Sequence, residues 1–412
     1  MRLGLLALIC VLTADQAAAQ TDLSAPNEPV GHHFLITPED LPPPYASESV
    51  GNRGDLHDRP DPPVLNVAEG FAVNIFAEDF EHPRWLAVGP NGDVFLAQTR
   101  PGEITLLRDG DGDGVAELRF TYLDGLTAPT GMAFRDGYFF VADLEAVWRV
   151  PYEAGDTEAR GNKVPVTQAE TLGDQTGHWT RTLAFAPDGA TFYVGIGSRG
   201  NLDVERSPRA TVQVFRDGSP TPETFASGLR NPIGIAFHPQ TDELYVVVNE
   251  RDGYGDDLVP DFFTRIREGE FYGWPYAYAG GIPDPEFADE APAMVDKTVL
   301  PDVLFQSHSA PIGMVFYDGD MFPEDYRGDA FVALRGSWNR SIPTGYKIVR
   351  IRFQDGRPVG GYENFATGFW FAGDETAQIY GRPAGLAVAA DGSLLIADDT
   401  GNAVWRISYG GG

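Results

Sequence analysis

One short pattern recurs six times along this chain: an apolar strand ending in Ala or Val followed by Val, Phe or a similar residue, then a turn, then a second apolar strand. The copies span residues 83–97, 129–142, 180–194, 232–246, 311–316 (resuming at 328–333) and 383–397. Aligned on Ala87, Ala133, Ala184, Ala236, Val315 and Ala387, they are spaced by 46, 51, 52, 79 and 72 residues. A hairpin unit returning every 40–50 residues cannot bury its own apolar face and must stack on its neighbours. This pattern predicts an all-β fold, a six-bladed β-propeller over residues 65–412, with insertions in the two long intervals. The alternating segment 71–77 precedes the first repeat, and 403–409 ends the last; pairing them would close the ring and remove a free edge.

Composition agrees. With 48 Gly, 32 Pro and 12% aromatic residues, short strands and turns are favoured over long helices. Apolar residues at 42% and charged residues at 22% describe a globular chain. Sixty acidic against 30 basic side chains leave a formal charge of −30. That charge argues against nucleic acid and against an anionic membrane surface as partners, and it favours binding of hard cations.

Residues 1–20 read as a signal peptide: Arg2, an apolar core from Leu3 to Leu12, and Ala17-Ala18-Ala19 as a cleavage site. The core is too short to span a bilayer, and Leu8-Ile9 before Cys10 lacks the small residue of a lipoprotein site. The expected location is therefore periplasmic or secreted. Cys10 is the chain's one cysteine, so the mature protein would have neither disulfides nor thiolate-held metals. Residues 21–64 hold nine of the 32 prolines and read as an extended tail or surface strap unable to pair in a sheet. His32 and His33 fall there and are expected to be solvated, as is His238 in a later turn.

The repeat register also selects residues for one mouth of the ring. His178, Arg230, Asn231 and Arg382 stand five or six positions before the aligned alanines of three blades, so they should converge on one rim. Gathered cations in a −30 protein imply an anionic ligand, unless Asp398 or Asp399 neutralises them. His178 reads as an imidazole base, a metal ligand or a satisfied polar group; no other histidines share a ligand-like spacing with it, and His82 and His308 are possible rim neighbours. Separately, Asp109, Asp111 and Asp113 alternate, with Gly114, Val115 and Glu117 at the sixth, seventh and ninth positions of a Ca²⁺-loop pattern. Phe120 replaces the bidentate glutamate at the twelfth, so the pattern describes either a calcium-stapled hairpin turn or a plain acidic turn.

Four further segments, 229–237, 248–257, 271–275 and 336–340, together resemble the soluble quinoprotein sugar dehydrogenases, a family of six-bladed propellers binding pyrroloquinoline quinone and Ca²⁺. The resemblance covers roughly residues 71–409. It implies that His178 is the base taking the hydroxyl proton while hydride moves to the quinone. It implies that Arg230, Asn231 and Arg382 bind the quinone, with Gln98 and Arg335 near other cofactor contacts, and that Asp252 and Gly253 hold the catalytic Ca²⁺ through carbonyls. The family's cofactor-contacting lysine has no clear counterpart, Lys347 lying several residues off. Gly177 and Ser198 stand where the glucose enzyme has acidic residues, so glucose itself is not implied. The expected activity is oxidation of a sugar or related alcohol or aldehyde, with electrons passed to an external quinone or cytochrome. The competing readings are a Ca²⁺-dependent, lactonase-type hydrolase and a non-catalytic propeller that binds a sugar or protein.

Overall fold

The computed structural model describes residues 29–216 and 218–410. Residues 1–20, read from the sequence as a signal peptide, lie outside them. Six antiparallel sheets stand in a ring, one per repeat. The first is Pro83–Val88, Val94–Gln98, Glu103–Arg108 and Leu118–Leu123, counted from the axis outward. The next three blades begin on Met132–Arg135, Arg181–Phe185 and Asn231–Phe237, and the last two on Pro311–Phe316 and Pro383–Val388. In the sixth blade the outermost strand is Phe71–Glu78, paired in antiparallel register with Ala403–Tyr409. The ring thus closes by joining the two ends of the propeller, leaving no unpaired edge at the seam.

Local sequence explains both the hairpins and the narrow axis. Asp136 and Gly137 take φ of 48° and 76°, the two-residue mirror-image turn whose twist suits a hairpin, between Met132–Arg135 and Tyr138–Ala142. Three innermost strands carry Pro-x-Gly, and in the second blade Pro129-Thr130-Gly131 leads into the strand; the glycine is required because neighbouring blades touch there. A Cβ on Gly313 would lie 2.2 Å from the Ala384 carbonyl oxygen, and one on Gly385 2.7 Å from that of Arg84. In the third blade Thr182 replaces the glycine, and its hydroxyl donates to the Ile233 carbonyl instead. Aromatic side chains fill the spaces between blades; Phe95, for example, packs against Phe134 and Phe139 of the next blade.

The long intervals are loops around one mouth. Residues 266–302 insert into the fourth blade, 335–346 into the fifth, and a hairpin of Trp370–Ala372 with Gln378–Ile379 precedes the sixth. The expectation that the proline-rich tail pairs with nothing needs correction. His33–Phe34 adds a fifth strand to the fifth blade, on Tyr362 and Glu363, and Asp55–Leu56 pairs in parallel with Gln378–Ile379. Both pairs are free of proline and need only one hydrogen-bonding side each, which an outer edge supplies. His238 is likewise not solvated: it is buried, with its ring stacked 5.0 Å from that of Phe353.

Candidate active site

Every innermost strand enters from the same mouth, so the residues just before it and its first side chains form a funnel. The residue between Pro and Gly points inward: Ile233 and Ile312 floor a cavity of about 330 Å³, and Arg84, at the same repeat position, stands in its wall. Trp179 and Trp338 provide aromatic walls, while His178, Asn231, Arg335 and Arg382 complete the polar lining. No carboxylate is among the lining residues.

The cations are held but not neutralised. Asp399 is fully buried and takes two hydrogen bonds from Arg335, at 2.7 and 3.0 Å, and one from Arg84. Arg382 instead donates to the carbonyls of Arg335 and Gly336. Two guanidiniums therefore share one carboxylate, and the third, Arg382, is held by carbonyl oxygens alone. Burial, against the attraction of Asp399, pulls Arg84 down to about 10; burial and then Arg335 do the same to Arg382, and both remain charged at neutral pH. Arg84 lies 5.0 Å over the Trp179 ring, and its Nε is buried with no hydrogen-bond partner. Asn231 Oδ1 is also buried without one. Unsatisfied polar atoms and surplus positive charge in a half-enclosed cavity suit a planar polyanion. Asp398, by contrast, is occupied with its own turn, accepting from the backbone of Arg382 and Gly401.

His178 stands at the edge of this cavity with a defined tautomer. Its Nδ1 lies 2.8 Å from the Ser198 carbonyl, an acceptor only, so Nδ1 carries the proton and Nε2 keeps its lone pair. Burial first, and Arg230 second, lower it to about 4, overcoming the opposite pull of the Ser198 carbonyl and Asp252. Arg209 adds a smaller push in the same direction. The imidazole is neutral at physiological pH.

Other expected residues are placed differently. Arg230 turns from the cavity to the Asn201 carbonyl at 3.0 Å and to Asp252 at 3.3 Å. It lies behind the wall, where burial lowers its pKa. Gln98 is not brought to the cavity: its amide bonds Glu103 and Thr105, and its oxygen accepts from the Glu81 backbone. Lys347 lies in an inner part of the fifth blade, 4.5 Å over the Phe34 ring. Asp252 is engaged on several sides. Its carbonyl accepts from Asn201 at 2.8 Å, and its carboxylate is shared by Arg230 and Asn339, with His308 Nδ1 3.4 Å away. The backbone carbonyls of Asp252 and Gly253, each with two lone pairs, are the oxygens that would face a cation there.

The Asp109 loop does gather carboxylates. Oxygens of Asp109, Asp111, Asp113 and Glu117 lie within 4.8 Å of one another. Val115 sits in the same turn, its N–H donating to Asp113. The loop joins Glu103–Arg108 to Leu118–Leu123, and strand direction places it at the mouth opposite the cavity.

Sequence reasoning missed Arg84 as a cavity residue, although its place between Pro83 and the glycine-equivalent Trp85 marks it. It also gave no role to Trp179 or Trp338. Trp338 stands in the recognised segment 336–340 and Trp179 just ahead of the third repeat, but only the fold shows that both line one space.

Fold and site together define a six-bladed propeller with a cationic, tryptophan-walled cavity in one mouth. A family model described as TrAA12-like matches residues 65–259 and 283–410, and the chain belongs to that family. An uncharacterized protein of Borreliella burgdorferi is 28% identical over 357 residues, 84% of this chain and 91% of its own. The pyrroloquinoline quinone-dependent pyranose dehydrogenase of Coprinopsis cinerea is 24% identical over 83% of this chain, which spans 54% of that longer protein. The holo structure of that enzyme's PQQ domain superposes with a TM-score of 0.70 at 21% identity, covering 84% of this chain and 97% of the domain. A calcium structure of a Trichoderma reesei family AA12 enzyme gives 0.71 at 17%, covering 87% of this chain and 99% of that one. These superpositions establish the shared fold.

Proposed function

We propose that this protein is an exported quinoprotein oxidoreductase that uses pyrroloquinoline quinone to oxidise a sugar or related alcohol or aldehyde. The observation that carries the reading is the set of three cavity guanidiniums, of which only Arg84 and Arg335 pair with the carboxylate of Asp399, beside a histidine with a free Nε2. The quinone is a planar tricarboxylate, which answers the surplus charge, the unpartnered Arg84 Nε and the flanking indole rings. Arg84, Arg335 and Arg382 would hold its carboxylates, with Asn231 at the opposite wall. When bound, the group supplies the two-electron acceptor for the hydride leaving the substrate carbon.

The chain's own residues do the rest. His178 Nε2 takes the substrate hydroxyl proton, and Ser198, by accepting from Nδ1, keeps the ring in the tautomer that can do so. Burial, reinforced by Arg230 that Asp252 and Asn201 fix in place, keeps that imidazole neutral between turnovers. Ile233 and Ile312 give the cavity an apolar side against which substrate carbon can rest. The Asp109 loop is a structural Ca²⁺ site in this reading, holding two strands of the first blade by Asp109, Asp111, Asp113 and Glu117. A periplasmic or secreted location, and an external quinone or cytochrome as acceptor, follow from the signal-peptide reading and the chemistry.

The hydrolase alternative asks for carboxylates converging on the channel, and the cavity has none. The test is titration of the apoprotein with the quinone, followed by tryptophan fluorescence, then dye-linked oxidation across a sugar panel with Ca²⁺ present. Quinone binding with sugar-dependent dye reduction is expected. No binding and no oxidation would leave the non-catalytic binding module.

A further inference from the structure

The family match begins at residue 65, yet the segment before it is built into the cavity mouth. Between Tyr45 and Arg59 the chain crosses three insertions and the closing strand in order. Tyr45 N–H donates to the Tyr254 carbonyl, and the Ser47 hydroxyl accepts from the Asp256 N–H, both on the fourth blade. Asp55 and His57 then bond the hairpin ahead of the sixth blade, and Arg59 reaches Gly401 and Glu78 at the ring's seam.

Asn52 is the middle of this path and makes its densest set of contacts. Its backbone N–H donates to the Trp338 carbonyl at 2.7 Å. Its Nδ2 faces three carbonyls, those of Arg340 at 3.0 Å, Ser341 at 3.1 Å and Glu375 at 2.6 Å. Its Oδ1 accepts from the Thr376 hydroxyl at 3.0 Å. Three acceptors at one end of the amide and a donor at the other fix its orientation. One side chain thus ties the fifth-blade loop that carries Trp338 to the hairpin at 370–379. Trp338 is 43% exposed and lines the cavity, so little else covers its outer face.

We propose that Asn52 is a positioning residue: it holds the Trp338 loop against the 370–379 hairpin and thereby sets the substrate-facing wall of the cavity. The proposal rests on the dehydrogenase reading for its kinetic part only. Its structural part does not. The full chain is compared with Asn52→Ala and Asn52→Asp. The aspartate keeps the size but turns an acceptor toward three carbonyls, so it should behave like alanine or worse, whereas a role in simple space-filling would leave it near wild type.

Hydrogen exchange should show amides of residues 336–346 and 372–379 losing protection by about tenfold or more in both variants, with the second and third blades unchanged. In the reconstituted protein KM for the sugar should rise about five- to tenfold while kcat stays within about twofold and quinone affinity is kept, the signature of lost uniform binding. Unchanged protection, or wild-type behaviour of Asn52→Asp, overturns the proposal. Loosened loops with an unchanged KM overturn the substrate-wall role. If the wild type oxidises no sugar, the dehydrogenase reading falls, and the exchange comparison alone decides whether Asn52 organises the mouth.

Discussion

His178 should remain an effective base at a pH where an ordinary histidine has lost its lone pair. Burial and Arg230 lower it from 6.5 to about 4. At pH 5 a group of pKa about 4 is about nine-tenths neutral, whereas one at 6.5 is only about 3% neutral, a difference of about thirtyfold in active base. The sign is fixed: the neutral form works, so kcat/KM rises through the pKa and is flat above it. The assay is kcat/KM of the quinone-loaded protein from about pH 3.5 to 8, with a dye acceptor insensitive to pH over that range. An acid limb centred near 4 is expected. Arg230→Met should move it upward, because the repulsion goes while Asp252, left without its guanidinium, stabilises the imidazolium more. His178→Ala should reduce turnover by about 10²–10⁴-fold, the usual worth of a positioned base, and abolish the limb. A limb near 6.5 in the wild type, or one that survives in His178→Ala, would refute the assignment and direct attention to His82 or His308.

Three other outcomes follow from the geometry. Asp399→Asn leaves the guanidiniums of Arg84, which is buried, and of Arg335 without their carboxylate and should cost about 3–5 kcal/mol in a denaturant titration of the apoprotein, with part of the loss recovered on adding the quinone. Gly313→Ala forces a Cβ against the Ala384 carbonyl and should cost about 1–3 kcal/mol by the same titration; a neutral result would mean the fifth and sixth blades are less tightly apposed at the axis than the structure shows. Asp111→Asn should lower the melting temperature in Ca²⁺ without changing quinone affinity, since its loop lies at the far mouth; lost affinity with unchanged melting would remove the structural role.

Much of the architecture is local and therefore readable. The six Ala-aligned repeats, the Asp-Gly turns and the alternating segments 71–77 and 403–409 specify hairpins, their number and the closure of the ring, because strand periodicity and turn chemistry act within a few residues. The same register brought His178, Asn231 and Arg382 correctly to one mouth. The Asp109 loop was also legible, since its carboxylates come from one short turn. Pairing across blades was not. Whether Arg230 points at the cavity or at Asp252, and whether Arg84 joins Arg335 on Asp399, depend on side-chain directions set by neighbours 22–315 residues away, and Gln98 is used up by partners 5–17 residues away that the sheet brings beside it. The role of the proline-rich segment was hidden for the same reason. Its prolines announce an extended chain, but Asn52 has partners only because the insertions of the fifth and sixth blades arrive beside it. Repeats encode the ring through short-range preferences; the charge balance and walls of its cavity arise from long-range contacts that exist only once the ring has closed.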